Sequence, residues 1–318
     1  MATFSFELYP PRTPAAELAL YESLDHLIAA GPEFISVTYG ANGSSRESSL
    51  GVVRRLLAGG VSPMAHLTCV GSSYAEATLL IREFLDAGVT SFLALRGDPP
   101  AGVSEGDSFL GDLGSAGELV QLIHRVQAEK DQFAQVPVPG FPEAKRLASG
   151  RKVTIAVAAF PHGHPRSRSV SQDLDSLLAK QAAGANLAIT QLFFEPDDYL
   201  GFVQMARSAG VTMRILPGIM PVLTPTRLTR IVELSGEAMP TGLLRGLETA
   251  SSPQAQHAVG IQHAVALASE VLDGGAPGLH LYTFNQHRPV LEILAETGLI
   301  DSLPSVPDSR PSAPKEHA

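Results

Sequence analysis

The sequence predicts a closed (β/α)8 TIM barrel in a single domain, and three observations lead to that fold class. Short β-rich runs alternate with longer helical stretches along the 318 residues. Strands that are joined by helical crossovers form parallel sheets, and eight strand–helix units in about 300 residues fit a closed barrel best. Hydrophobic residues make up 44% of the chain, enough for one large core. A doubly wound open sheet is the structural alternative.

The eight strands are predicted from short apolar runs that end at turn residues or prolines. They cover residues 4–7, 34–38, 64–69, 91–95, 153–158, 187–190, 212–216 and 278–282. Helical periodicity predicts the helices, several of which stop at a glycine. They cover residues 14–30, 47–57, 74–87, 117–129, 171–183, 197–209, 225–234, 254–272 and 289–296. The barrel is therefore expected to occupy residues 1–300.

Two segments depart from this alternation. Residues 133–152 carry three prolines and two glycines between a predicted helix and a predicted strand, and they are expected to form a surface insertion. Residues 301–318 are proline-rich and have little apolar content, which predicts a mobile tail.

Composition narrows the class of protein. The net charge of −9, from 23 basic and 32 acidic residues, argues against general nucleic-acid binding. No apolar run is long enough for a membrane helix, and no signal peptide is recognisable, so a cytoplasmic protein is expected. Cys69 is the single cysteine, which excludes an intramolecular disulfide and a thiolate metal cage.

Polar residues at the carboxyl ends of the predicted strands are the candidates for function, because barrel active sites form there. All eight ends carry a turn, a polar group or both, which predicts one large site whose ligands contact most strands. The candidates are Glu7, Thr38, His66, Arg96, Gly97, Asp98, Phe160, His162, His164, Gln191, Pro217, Gly218 and Tyr282.

Each candidate has a structural alternative. Glu7 could be a surface carboxylate beside a turn. Asp98 could be an ordinary turn aspartate, paired with Arg96 across one glycine. His66 could be a hydrogen-bonded histidine of the core.

His162 and His164 have the spacing of a metal-binding pair. No cluster of carboxylates or cysteines accompanies them, and no metal site is therefore expected.

In motifs at these strand ends, the chain resembles the methylenetetrahydrofolate reductase family. Eight motifs occur in the family's order, at residues 6–13, 37–41, 66–69, 94–99, 158–165, 183–194, 217–221 and 281–285. The resemblance implies a barrel that binds FAD without covalent attachment and takes hydride from NADH or NADPH. By ping-pong transfer, the hydride then reduces 5,10-methylenetetrahydrofolate to 5-methyltetrahydrofolate. The resemblance also implies that the protein forms a homo-oligomer.

The resemblance assigns roles to individual residues. Glu7 matches the general acid, which protonates the leaving nitrogen of the folate so that its ring opens. Partial burial at the barrel mouth is expected to raise the pKa of this carboxyl toward the working pH. Asp98 matches an aspartate near the flavin and the pterin, where its charge favours the cationic folate intermediate. Gln191 matches the residue that pairs with the pterin, since an amide can both donate and accept.

Further residues are implied as ligand contacts by the same matches. Tyr282, Ile231 and Gln286 are implied to contact the substrate. The implied FAD contacts are Thr38, His66, Arg96, Gly97, Asp98, Phe160, His164, Asp173 and Lys180.

Several positions depart from the family pattern. Phe160 replaces a tyrosine, Ile231 replaces a phenylalanine that stacks on ligands, and Gln286 replaces an arginine. Arg288, two residues later, is a candidate to compensate for that arginine. These departures leave open a flavin-free folate-binding subunit without catalysis. A different FAD-dependent barrel, such as a proline dehydrogenase-like oxidase, is a second alternative function, which would share the FAD site and differ in substrate.

Overall fold

The computed structural model describes residues 2–38, 46–99, 102–103, 109–130, 134–138, 141–148, 153–164 and 167–304. Residues 39–41 of the predicted motif at 37–41, and most of the predicted tail, lie outside these ranges. The strands are β1 (Thr3–Leu8), β2 (Phe34–Val37), β3 (Pro63–Thr68), β4 (Ser91–Leu95), β5 (Ala134–Val138), β6 (Phe141–Ala148), β7 (Thr154–Ala159), β8 (Leu187–Leu192), β9 (Arg214–Ile219) and β10 (Gly278–Tyr282).

Eight of these strands close into a parallel barrel in the order β1-β10-β9-β8-β7-β4-β3-β2, which confirms the predicted fold class. The helices are α1 (Pro14–Ala29), α2 (Arg46–Ala58), α3 (Tyr74–Asp86), α4 (Ala116–Lys130), α5 (Val170–Ala182), α6 (Pro196–Ser208), α7 (Pro225–Ser235), α8 (Thr241–Thr249), α9 (Pro253–Asp273) and α10 (His287–Glu296). Closure depends on β1, which pairs with β10 on one side and with β2 on the other.

The barrel interior changes from apolar to polar towards the carboxyl ends of the strands. One buried apolar cluster contains Phe34, Met64, Leu93, Ala156, Leu187, Ile189 and Leu216. Successive residues of a strand point to opposite faces, so residues two positions apart share a face. Ser36 and His66 follow Phe34 and Met64 by two residues and are also buried, one layer closer to the carboxyl-terminal mouth.

The pairing of β8 with β9 corrects two of the predicted strand ends. Gln191 lies inside β8, and Gly218 lies inside β9, whereas the sequence analysis put both beyond their strands. The register shifts between Ile189 and Leu192, and Leu192 pairs with Gly218. The Thr190 hydroxyl accepts from the Gly218 amide at 2.8 Å, so a side chain replaces a ladder bond at the irregularity.

A hairpin of two strands and one helix were not predicted. The insertion contains an antiparallel hairpin, β5 with β6, whose pairing is irregular between Pro137 and Val138. Prolines made this segment look like a loop, although hairpin edges and irregular positions tolerate them. Helix α8 contains Gly242 and Gly246, which are poor helix formers, and it is held by the buried Leu243 and Leu247 one turn apart.

Candidate active site

Glu7 lies near the carboxyl end of β1, at the seam where the barrel closes. Its backbone pairs with Tyr282 of β10 on one side and with Ser36 of β2 on the other. The side chain keeps 22% of its exposure, while His66 and His280 beside it are buried. The carboxylate is therefore set in the floor of the mouth and remains open to a ligand.

Two histidines approach the same oxygen of Glu7. The Nε2 atoms of His66 and His280 each lie 3.6 Å from Glu7 Oε2. This distance is a close charge contact, slightly too long for a hydrogen bond. A carboxylate and two imidazoles thus share one small volume at the base of the mouth.

The other nitrogen of His280 shows which tautomer the neutral ring takes. Its Nδ1 lies 2.8 Å from Ser5 Oγ, and that hydroxyl is also 3.3 Å from the Leu279 carbonyl. Because a hydroxyl donates only one proton and the carbonyl can only accept, Ser5 donates to Leu279 and accepts from Nδ1–H. In neutral His280, the lone pair of Nε2 therefore faces Glu7.

The pKa of Glu7 corrects one expectation from the sequence. Burial raises the pKa of this carboxyl, as expected for a desolvated acid. The contacts with His280, His66 and Ser36 outweigh burial and lower the pKa below its usual value. Burial also lowers the pKa of His66 despite the nearby carboxylate, so this imidazole is neutral at neutral pH.

Tyr282 packs between Glu7 and β9. Its hydroxyl donates to the Thr190 carbonyl at 3.0 Å. Burial, together with the charge of Glu7, raises the pKa of this phenol well above its usual value, so it stays protonated. At Gly218, an added Cβ would lie 2.3 Å from the Thr190 carbonyl oxygen and 2.9 Å from the Tyr282 ring. A glycine is therefore required for this close packing.

An apolar wall adjoins Tyr282. The buried cluster of Leu192, Phe194, Val222, Leu228, Ile231, Leu243 and Leu247 packs against the partly buried Tyr282 and Phe284. Ile231, from α7, belongs to this wall. Gln191 is half-buried, and its side-chain oxygen accepts from the amide of Leu192 at 3.0 Å. The rest of the Gln191 amide group remains able to bind a ligand.

The loop after β10 has an uncommon backbone conformation. Phe284 and Asn285 have positive φ angles of 50° and 60°. The Asn285 side chain forms two hydrogen bonds with the backbone of Tyr9. It accepts from the Tyr9 amide at 3.0 Å and donates to the Tyr9 carbonyl at 2.8 Å. Gln286 directly precedes α10 and lines a separate cavity of about 660 Å³ with Ser23, His257 and Arg288.

The loop after β4 positions Arg96, Gly97 and Asp98. The Arg96 guanidinium carbon lies 4.9 Å from the centre of the Phe109 ring. Gly97 has a φ of 84°, and an added Cβ there would lie 2.5 Å from Val70 Cγ2. Asp98 is exposed, and among the described residues its side chain has no ion-pair partner.

A second group of predicted residues lies after β7 and on α5. The rings of Phe160 and His164 meet edge to face at 4.6 Å. Asp173 accepts from the His164 amide at 3.2 Å and from the Ser167 hydroxyl. Lys180 is largely buried, and its ammonium donates to the Ala158 carbonyl at 3.1 Å. Burial lowers the pKa of Lys180, and the charge of Asp173 opposes this effect only partly.

The two histidines with metal-like spacing have separate partners. His162 contacts Asp198, at 2.9 Å, and Glu237, whereas His164 packs on Phe160. Within the ranges that the structure describes, no group of three or more histidine, cysteine or acidic side chains could hold a metal ion. In those same ranges, no helix is both long and apolar enough to cross a bilayer.

The predicted residues thus form distinct groups. Glu7, His66 and Tyr282 lie together, and Phe160, His164 and Asp173 form the second contact group. Thr38 follows β2, and its amide donates to the Leu8 carbonyl at 2.9 Å. Gln286 lines the separate cavity of about 660 Å³, and Glu7 is not among the residues that line it.

Sequence reasoning missed His280 and Ser5. Both precede a recognised site residue by two positions, His280 before Tyr282 and Ser5 before Glu7. The period of two in a strand was the signal that could have found them, because it puts each pair on one face.

Sequence comparison finds relatives over most of the chain. A family model described as methylenetetrahydrofolate reductase matches residues 1–298. A 5,10-methylenetetrahydrofolate reductase from Salmonella typhimurium is 32% identical over 89% of this chain and 86% of its own length. The corresponding protein of Escherichia coli K12 is 31% identical with the same coverage.

A plant relative is longer. A probable methylenetetrahydrofolate reductase (NADH) from Oryza sativa subsp. japonica is 33% identical over 94% of this chain and 48% of its own length. The chain therefore spans about half the length of the plant relatives that it matches.

Among solved structures, an uncharacterised protein from Clostridium thermocellum that binds two copies of 5-methyl-5,6,7,8-tetrahydrofolic acid is similar with a TM-score of 0.55. Its sequence identity is 14%, over 94% of this chain and 93% of that chain. At this identity, the similarity shows the barrel fold alone.

Proposed function

The chain belongs to the methylenetetrahydrofolate reductase family, and we propose that it reduces 5,10-methylenetetrahydrofolate to 5-methyltetrahydrofolate with hydride from NADH. The observation that carries this proposal is the contact group of Glu7 with His66 and His280 at the barrel mouth. It supplies an acid–base group beside the partly buried rings of Tyr282 and Phe284, and a folate reduction needs both a proton donor and an apolar surface. The plant relatives named for NADH support NADH as the donor.

FAD is proposed as the cofactor, and the chemistry of the residues after β7 fits it. Lys180 is a largely buried cation, and Asp173, the acidic group that acts on it, already accepts two hydrogen bonds. A buried ammonium in this situation is stabilised by a further anion, such as a diphosphate. Phe160 and His164 offer ring surface next to it. When bound, FAD would supply the carrier that accepts hydride from NADH and passes it to the folate.

In this proposal, Glu7 is the proton donor. The methylene bridge of the folate becomes a good hydride acceptor once one of its nitrogens is protonated and leaves. A bound pterin would cover the remaining 22% exposure of the Glu7 side chain, and this desolvation raises the pKa of a carboxyl. The acid would thereby gain its proton when the substrate is in place. Gln191 would pair with the amide-like edge of the pterin.

The test is an anaerobic stopped-flow experiment on the two half-reactions. Purified protein supplied with FAD should be bleached by NADH and should regain its colour on addition of methylenetetrahydrofolate, with 5-methyltetrahydrofolate as product. Two separate half-reactions would also establish ping-pong transfer. Turnover of methylenetetrahydrofolate without any flavin would contradict the proposal that FAD is the cofactor. Binding of folate without its reduction would contradict the proposal that the protein is an enzyme.

A further inference from the structure

His162 lies in the turn that follows β7. The Gly163 amide donates to the Phe160 carbonyl at 3.0 Å and closes this turn, with a φ of 86° at Gly163. Phe160 and His164, whose rings meet at 4.6 Å, stand two residues before and two residues after His162. Both belong to the proposed FAD site. A contact that fixes His162 therefore also fixes the turn that carries them.

The side chain of His162 connects this turn to two other elements. Its Nε2 lies 2.9 Å from Asp198 Oδ1, in the first turn of α6, and its Nδ1 contacts Glu237, which follows α7. The second oxygen of Asp198 accepts from the Glu195 amide at 3.3 Å, so this carboxylate is held by the start of its own helix. One imidazole thus ties the turn after β7 to α6 and to the segment between α7 and α8.

The two contacts need one proton more than a neutral ring and two carboxylates hold. A carboxylate can only accept, and a neutral imidazole has a single N–H, which donates to Asp198 or to Glu237 but not to both. A proton taken up from solvent completes both hydrogen bonds, whether it lies on the ring or on the Glu237 carboxyl. Both arrangements hold the same number of protons, so the three residues bind this proton as one unit.

Burial makes the loss of this proton costly. The Glu237 side chain is 7% exposed. Burial raises the pKa of this carboxyl, the charge of His162 opposes that effect, and the charge of Asp198 adds to it. Without the shared proton, the unit has two ionised carboxylates and one donor, and one of the carboxylates is buried.

Other ionisable groups around the turn have different partners. On α5, Asp173 accepts from the His164 amide at 3.2 Å. Burial lowers the pKa of His263 on α9, and the charge of Glu195, at the start of α6, opposes this effect. Among the described residues, the charges that act on Glu237 are those of its two partners in the unit.

We propose that His162 is a positioning residue, which holds the turn after β7 in place for FAD by binding two carboxylates through one shared proton. This inference rests on the proposed function and adds a pH-dependent element to it. When the pH rises and the shared proton is lost, one of the two hydrogen bonds breaks, and the turn is released from one of its two supports. The affinity for FAD should therefore fall as the pH rises.

The experiment compares two substitutions that act on this bridge in opposite ways. His162→Gln has no second nitrogen on the opposite side and cannot reach both carboxylates. It should weaken FAD binding about tenfold at mildly acidic pH, the usual effect of one hydrogen bond to a charged group. Glu237→Gln brings its own N–H, which donates to the second ring nitrogen, so that the bridge needs no extra proton.

FAD affinity is measured on flavin-free protein by the quenching of flavin fluorescence, at mildly acidic and at mildly alkaline pH. Wild-type affinity should fall about tenfold at the alkaline pH. Glu237→Gln should match the wild type at the acidic pH and keep that affinity at the alkaline pH. His257→Gln, which removes another histidine that contacts a carboxylate, is the matched control and should behave as the wild type does.

Melting temperatures of the flavin-free proteins test the bridge without the cofactor. A unit that binds its proton more tightly in the folded state stabilises the protein below its unfolded pKa, and this stabilisation is lost as the pH rises through the folded pKa. The wild type should therefore lose stability relative to Glu237→Gln as the pH rises.

Three results would overturn the proposal. They are wild-type FAD affinity in His162→Gln, an equal loss in His257→Gln, and the same fall in affinity with pH in Glu237→Gln as in the wild type. If the wild type binds no FAD, the proposed cofactor fails. The melting temperatures then decide on the bridge separately, because an equal pH dependence in wild type and Glu237→Gln would exclude the shared proton.

Discussion

His280 Nε2 lies 3.6 Å from Glu7 Oε2, and Nδ1 of the same ring is held 2.8 Å from Ser5 Oγ. The three residues belong to the first and the last strand of the barrel, so this contact exists only because the barrel closes. When this ring is protonated, both nitrogens carry a proton, and the charged Nε2–H that faces Glu7 stabilises the ionised form of that carboxylate. His280 is therefore expected to control the acidity of Glu7.

Replacing His280 tests this relationship. The His280 contact lowers the pKa of Glu7, so its removal in His280→Gln should raise that pKa. The folate half-reaction needs protonated Glu7, and its rate falls as the pH rises through the Glu7 pKa. The alkaline limb of its pH profile should consequently move to higher pH, as measured by stopped-flow. His263→Gln, which changes a histidine of α9 outside this group, is the control. An unmoved limb would show that His280 has only a packing role.

Replacing the acid itself should separate the two half-reactions. Glu7→Gln is expected to slow the folate half-reaction by about 10²- to 10⁴-fold, the usual loss for a general acid. Reduction of the bound flavin by NADH needs no proton donor at this position and should keep its rate. Glu22→Gln, an exposed glutamate of α1, serves as control. Equal damage to both half-reactions would indicate a structural role for Glu7.

The site could be predicted from the sequence only in part, for a physical reason. Strand ends are local features, and the rule that barrel sites form there found Glu7, His66 and Tyr282. The pairing of Ser5 with His280 joins residues 275 positions apart, and nothing local in the sequence announces it. For the same reason, the lowered pKa of Glu7 was missed, since it depends on partners from other strands.

In the fold, too, local features were predicted from the sequence and features that depend on tertiary contacts were not. Apolar runs that end at turn residues predicted the barrel strands within a few residues. Helix α8 has two glycines and depends on tertiary contacts of Leu243 and Leu247, so local propensity gave no signal. The domain boundaries, and the tail at residues 301–318, stay predictions.

Gly218 is predicted to tolerate no side chain. In Gly218→Ala, the new methyl group would meet the Thr190 carbonyl at 2.3 Å, so β8, β9 or the Tyr282 ring must move. Overpacking of this kind typically costs about 1–3 kcal/mol. We expect a lower melting temperature and weaker folate binding. Gly242→Ala, at a helical position with nothing within 4 Å of the added Cβ, should be neutral or stabilising. Equal melting temperatures for the two variants would contradict the prediction.

At the opposite end of the barrel, an ion pair is expected to affect stability rather than chemistry. The Arg214 guanidinium donates to both oxygens of Glu33, at 2.8 and 3.0 Å, and to the Thr3 hydroxyl at 3.0 Å. The hydrogen bond from Arg214 lowers the pKa of Glu33, although burial opposes it. Because both side chains are more than a third exposed, Arg214→Met should cost only about 1 kcal/mol.

The loss of stability caused by Arg214→Met should depend on pH in one direction. A carboxyl with a lowered pKa in the folded state stabilises the protein above its unfolded pKa, and this stabilisation is lost as the pH falls through the folded pKa. The difference in melting temperature between wild type and Arg214→Met should therefore be full at pH 7 and shrink under acidic conditions. Arg230→Met, which breaks a more exposed pair, should show a smaller difference. A cost that grows as the pH falls would contradict this assignment.

A role of Asp98 in the turn and a role in catalysis predict different effects of the same substitution. It follows β4, its side chain is exposed, and none of the described residues forms an ion pair with it, so the turn-pair interpretation has little support. If Asp98 acts only in the turn, Asp98→Asn should change stability by about 0–1 kcal/mol and leave activity unchanged. If it lies against the flavin and the cationic folate, loss of its charge has two effects.

A nearby anion disfavours the addition of electrons to a flavin, so Asp98→Asn should shift the flavin potential upward. The same anion stabilises the cationic folate intermediate, so its removal should slow hydride transfer to the folate. We predict both effects, with fold and flavin content preserved, as measured by anaerobic redox titration and by stopped-flow re-oxidation. Asp197→Asn, an exposed aspartate of α6, controls for the general loss of a charge. A variant that matches wild type in both measurements would make Asp98 a turn residue, and the electrostatic part of the proposed mechanism would then be wrong.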